Sequence, residues 1–168
     1  MRFAPAAAAL SLLAAVTASV GYSAPPTALD PRAAALLAQG RTEIAAGRAD
    51  TAIDAFEAAL AIQPGSVAIY LDLANATRVQ GMQGKALHYY REALERDPQN
   101  QTAIAGEGVA LVEKGAVEKA RRNLARLQQL CGADCPTTRE LAAALAKGPA
   151  QRVVTAEQIK PQPVVTTN

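Results

Sequence analysis

ADTAIDAFEAALAIQP, residues 49–64, returns as QGKALHYYREALERDP at residues 83–98, and the offset between the two copies is 34 residues. Laying one on the other aligns Ala52 with Ala86, Phe56 with Tyr90, Ala59 with Ala93, Leu60 with Leu94 and Pro64 with Pro98. Gly47 falls over Gly81 just upstream. A chain that repeats at this period stacks copies of one unit, because no single copy can bury its apolar face alone.

Within the first copy Ile53, Phe56, Ala59 and Leu60 recur at three- and four-residue spacing, which places them on one helical face, with Asp54, Glu57 and Ala58 turned away. Ala52 and Ala59 are small enough for a neighbouring backbone to come close, and Phe56 fills the gap between helices. Asp50 is expected to cap the helix, and Pro64 forbids its continuation, so it is predicted over residues 50–62. Gly47 follows another periodic run, AAALLAQGRTEIAAG, and reads as the left-handed end of a preceding helix. Two antiparallel helices result.

The set of Gly40, Gly47, Ala52, Phe56, Ala59 and Pro64 resembles the tetratricopeptide repeat, and the second copy fits better, with Tyr70, Leu73 and Ala74 at apolar and small positions of its first helix. Asn100 is expected to cap a fifth helix, and Gly108, Gly115 and Ala120 continue the period into a third unit. That unit departs from the pattern at Leu124, Leu127 and Gly132, so a helix of another kind is expected to follow. Residues 137–146 supply it, with Thr137 and Glu140 as a capping box and an apolar stripe from Leu141 and Leu145. The fold class predicted is all-α, a solenoid of about three such hairpins closed by a C-terminal capping helix.

At the start, Arg2 precedes an uncharged apolar run over residues 6–20, shorter than the ~20 residues of a membrane-spanning helix, so residues 1–23 read as a signal peptide. The chain is therefore expected to be periplasmic or secreted, with no integral membrane segment after cleavage; an inner-membrane anchor is the other reading. Residues 24–29, with Pro25 and Pro26, read as a linker, residues 30–147 as the repeat domain, and residues 148–168, broken by Pro149, Pro161 and Pro163, as a flexible tail. Half the residues are hydrophobic but only 4% are aromatic, which suits close packing of alanine-rich helices.

In an exported chain Cys131 and Cys135 are expected to form a disulfide that ties the capping helix to the one before it. His88 is the single histidine and is expected on an outward face, so no metal centre and no Ser/His/Asp arrangement is built around it. Gly106 and Gly108 lie inside a helix rather than after a strand, which excludes a phosphate loop and leaves no cofactor site. Lys114, Lys119, Arg121, Arg122 and Arg126 cluster in the third unit, where Glu118 is expected to pair with Arg122. A net charge of +2 without interleaved aromatics argues against nucleic acid as a partner.

The resemblance implies a non-enzymatic scaffold or adaptor, here of the bacterial cell envelope, that binds a peptide or protein in its concave groove. It places Leu37, Arg41, Ile44, Leu71, Asn75, Arg78, Val79, Val109 and Val112 on that groove, with Arg41, Asn75 and Arg78 orienting an apolar segment. The lysine, asparagine and arginine clamp with which some members hold C-terminal carboxylates is replaced by Leu37, Arg41, Asp72, Thr102 and Gly106. Two other readings stand beside the adaptor: a small envelope hydrolase or thiol-redox protein, and a self-associating structural subunit.

Overall fold

The computed structural model describes residues 28–149. The expected signal peptide, most of the linker and all but the first two residues of the expected tail lie outside them. Seven α-helices and no strand are present among the described residues: α1 Pro31–Ala45, α2 Ala49–Ile62, α3 Val67–Val79, α4 Gln83–Arg96, α5 Gln101–Glu113, α6 Val117–Cys131 and α7 Pro136–Lys147.

Each first helix opens on a side-chain cap, because Asp30, Ser66 and Asn100 accept from the amides of Arg32, Ile69 and Ala103 and so satisfy donors with no intrahelical partner. Each first helix ends at a glycine with φ near +80°: Gly47 at 76°, Gly81 at 77° and Gly115 at 85°. A side chain is disfavoured there, and the reversal into the second helix follows within two residues. That short turn overturns the expected role of Asp50. Arg48 occupies the cap position of α2 without a side-chain bond, and Asp50 lies in the first turn, where it accepts from Gln80 Nε2 at 2.6 Å. The capping box expected at Thr137 and Glu140 is absent for a similar reason. Pro136 already starts α7 with its preset φ, so Cys135 takes the cap position and Thr137 falls inside the helix.

The helices form two layers. Among the first helices α1 meets α3, α3 meets α5 and α5 meets α7, whereas the backbones of α2, α4 and α6 approach first helices but not one another, and the long side chains of Lys85 and Tyr89 on α4 reach across to Glu57 on α2. The second helices are therefore splayed and the first helices drawn together, so the layer of α1, α3, α5 and α7 is the concave one. Phe56, 1% exposed, lies on Gly40 so closely that a Cβ there would stand 2.3 Å from its ring. That contact lies within the first hairpin, whereas Tyr90 of α4 meets Gly106 of α5 across the boundary between the second and third, and Leu141 of α7 meets Gly108. Leu127 and Leu141 are both fully buried, so the third hairpin is closed by α7, which packs on α5 and α6. The Cys131 and Cys135 sulfurs lie at bonding distance, with Cα atoms 5.9 Å apart, over the buried Thr138.

Candidate functional site

The concave face carries two cross-hairpin ion pairs. Arg41 Nε on α1 donates to Asp72 Oδ2 on α3 at 2.8 Å, and Arg78 Nη1 on α3 donates to Glu113 Oε1 on α5 at 2.7 Å. Arg78 also donates to Asn75 Oδ1 at 3.1 Å, and Gln83 Nε2 donates to Glu113 Oε2 at 3.3 Å. The expected orienting groups are thus partly spent on holding neighbouring hairpins in register. Asn75 remains exposed; Ile44 and Leu71 are half-buried, and Val79 is 62% exposed.

Three residues expected on the groove are not on it. Leu37, Val109 and Val112 are 3%, 9% and 2% exposed, and each belongs to the core. Leu37 packs in one cluster with Phe56, Ile69 and Leu73; Val109 and Val112 share another with Leu141. The physical reason is close approach. Gly40 and Gly108 let the next aromatic or leucine side chain sit against the helix backbone, and the apolar side chains beside them are covered. The groove is therefore more polar than the sequence suggested.

At its centre lies a notch of about 180 Å³ between α3, α5 and α7. Asp72 and Asn75 stand on one wall and Glu140 on the other, with Thr102 and Gly106 between them and the Tyr90 ring beneath. Burial pushes the Asp72 carboxyl above its ordinary value of 3.8, and the Arg41 pair only partly offsets that. Burial likewise raises the Tyr90 phenol, opposed by the nearby Arg78 guanidinium. Glu140 was missed as a groove residue, although a signal existed: Asp72, Gly106 and Glu140 are successive members of one register, each 34 residues apart. Treating α7 only as a cap hid that it continues the layer of first helices.

A second, open cleft of about 920 Å³ lies at the hairpin turns, where Val79 and the 37% exposed Met82 meet Lys114 and Pro149. His88 is exposed on α4, as expected. In the basic cluster Glu118 pairs with Arg121 rather than Arg122, and Arg126 reaches the Pro98 carbonyl oxygen. The three-residue spacing brings Arg121 to the same side of the helix as Glu118.

Stacked helical hairpins with a concave first-helix layer define an α-solenoid. A tetratricopeptide repeat model matches residues 68–151, half of the chain, and a second matches residues 33–76. The chain belongs to the tetratricopeptide repeat family. No curated protein matches it significantly. Among solved structures it is similar to the Sgt2 TPR domain from Aspergillus fumigatus, at 21% identity and TM-score 0.65, covering 86% of this chain and 95% of that one. It is also similar to the type III secretion chaperone SycD of Yersinia enterocolitica in complex with a peptide of the translocator YopD, at 20% identity and TM-score 0.59, covering 68% and 86%. A third is the second TPR domain of human RPAP3 in complex with the HSP70 peptide SGPTIEEVD, at 18% identity and TM-score 0.61, covering 67% and 94%. At these identities the likeness establishes the fold.

Proposed function

We propose that this protein is a non-enzymatic adaptor of the bacterial cell envelope that holds an extended peptide or protein segment along its concave face. The observation that carries the reading is the composition of that face. It alternates half-buried apolar side chains, Ile44 and Leu71, with exposed polar ones, Asn75 and Thr102, around a notch, and no described element lies over it. Such a surface supplies apolar contact and a few placed polar groups, which is how grooves bind and orient a segment of chain. Two of the solved relatives carry peptides, which supports a protein-interaction role for the fold. The exported setting rests on the reading of residues 1–23 and of Cys131 with Cys135.

A photo-reactive amino acid placed at Asn75 tests the groove, with Asp54, exposed on the opposite layer, as the control. Adducts to envelope proteins are expected from position 75 and not from position 54. Equal labelling from both positions moves binding off the concave face.

A further inference from the structure

We propose that the central notch is a receptor for a primary ammonium group with a carbonyl beside it, as carried by a peptide amino terminus or by a lysine side chain next to its own backbone. The inference rests on the groove reading above and names the ligand chemistry of its centre.

Charge and hydrogen bonding converge on it. Around the notch the carboxylates of Asp72, Glu113 and Glu140 face the guanidinium groups of Arg41 and Arg78. Arg41 pairs with Asp72 and Arg78 with Glu113, and Glu140 has no ion pair among the described residues, so one negative charge is left uncompensated at the mouth. A cationic group entering between Asp72 and Glu140 would meet acceptors on both sides. Its charge-assisted bonds are the stronger class of hydrogen bond.

The floor provides the complement. Tyr90 is 4% exposed, yet its hydroxyl lines the notch because Gly106 has no Cβ; one built there would stand 2.5 Å from that oxygen. The Arg78 guanidinium lies within hydrogen-bonding reach of the phenol oxygen and can only donate to it, so the hydroxyl keeps its own proton to give. The hydroxyl opens onto the polar hollow, where a peptide carbonyl can accept from it. The volume of about 180 Å³ equals roughly six waters, enough for an ammonium group on a short alkyl arm. The same register position holds an acid on α3, glycine on α5 and an acid on α7, so the two acidic walls and the gap that uncovers Tyr90 come from one repeat position read across three helices.

Amide NMR of the isotope-labelled protein, titrated with short alanine-based peptides, tests this. The probes are a free-amino peptide, an N-acetylated peptide with a central lysine, an N-acetylated peptide with glutamate there, and an N-acetylated all-alanine peptide. The free-amino or the lysine peptide is expected to shift the Thr102 and Gly106 amides, and whichever does so identifies the source of the ammonium group. Glu140→Gln removes the negative charge and Tyr90→Phe the hydroxyl, each at nearly constant shape, and each is expected to weaken that binding about tenfold. Equal shifts from all four probes would overturn the ammonium receptor while leaving the groove as an adaptor surface. Stronger binding of the glutamate peptide, or no shift with any probe, also overturns it. The crosslinking at Asn75 judges the groove reading separately.

Discussion

At Gly40 the missing side chain is a packing requirement, since a Cβ would stand 2.3 Å from the Phe56 ring, far inside the ~3.5–4.0 Å of good carbon contact. Helix propensity alone favours alanine over glycine by about 1 kcal/mol, whereas forcing a methyl into a filled core costs about 1–3 kcal/mol. Phe56 is too buried to yield. Gly40→Ala is therefore expected to lose up to about 2 kcal/mol in urea denaturation, overpacking outweighing propensity. Gly84 on α4 has nothing within 4 Å of a built Cβ, so Gly84→Ala should be neutral or gain about 0.5–1 kcal/mol. Asp72 makes a second residue-scale prediction. Its carboxyl is raised above 3.8 by burial, so the folded state binds a proton more tightly than the unfolded chain does. The resulting stabilisation is complete below 3.8 and is lost as pH rises through the raised value. Arg41, Arg78, Tyr90 and Glu140 are the titratable groups facing it. Asp72→Asn should accordingly be no less stable than the parent at neutral pH, with its relative advantage shrinking as the pH is lowered to about 3.8. Thermal melts of both proteins across that range check it.

Among the elements, α7 does two jobs. It seals the third hairpin with Leu141, fully buried against Gly108, and it extends the concave layer with Glu140. Leu141→Ala should cost about 2–5 kcal/mol, because the glycine beneath it offers no side chain to fill the space. The bridge between Cys131 and Cys135 encloses a very short loop, so reduction is expected to cost only about 2 kcal/mol and to act on α7 first. Hydrogen exchange with and without reductant checks this: α7 amides should lose protection while α3 and α4 keep theirs. A free thiol that labels in the folded protein before reduction would mean that no bridge exists.

At the scale of the whole array, every helix among the described residues contacts only its own hairpin or the adjacent one, as expected of a quasi-one-dimensional stack. Stability is then highest where both sides are covered. Protection from hydrogen exchange should peak in α3, α4 and α5 and decline toward α1 and α7, and uniform protection would show that the array unfolds as one block. The sequence made the hairpins, their turn glycines and their order legible, because those depend on spacing within one repeat. It was less informative for the groove. Leu37, Val109 and Val112 carry the same apolar signature whether they face a ligand or a neighbour, and Arg41 and Arg78 look free until the next helix presents Asp72 and Glu113.

By itself, the sequence determined the repeat period, the all-helical class and the small positions at Ala52 and Ala59 where a neighbouring helix comes close, since small residues and apolar faces at fixed spacing define how a core is buried. Only the tertiary structure decided which apolar positions are covered, which charges are spent between hairpins, and that Asp72, Gly106 and Glu140 meet around Tyr90. Those outcomes depend on how each hairpin is set against the next, through contacts between residues about 30 positions apart, and no pattern within a single repeat encodes that placement.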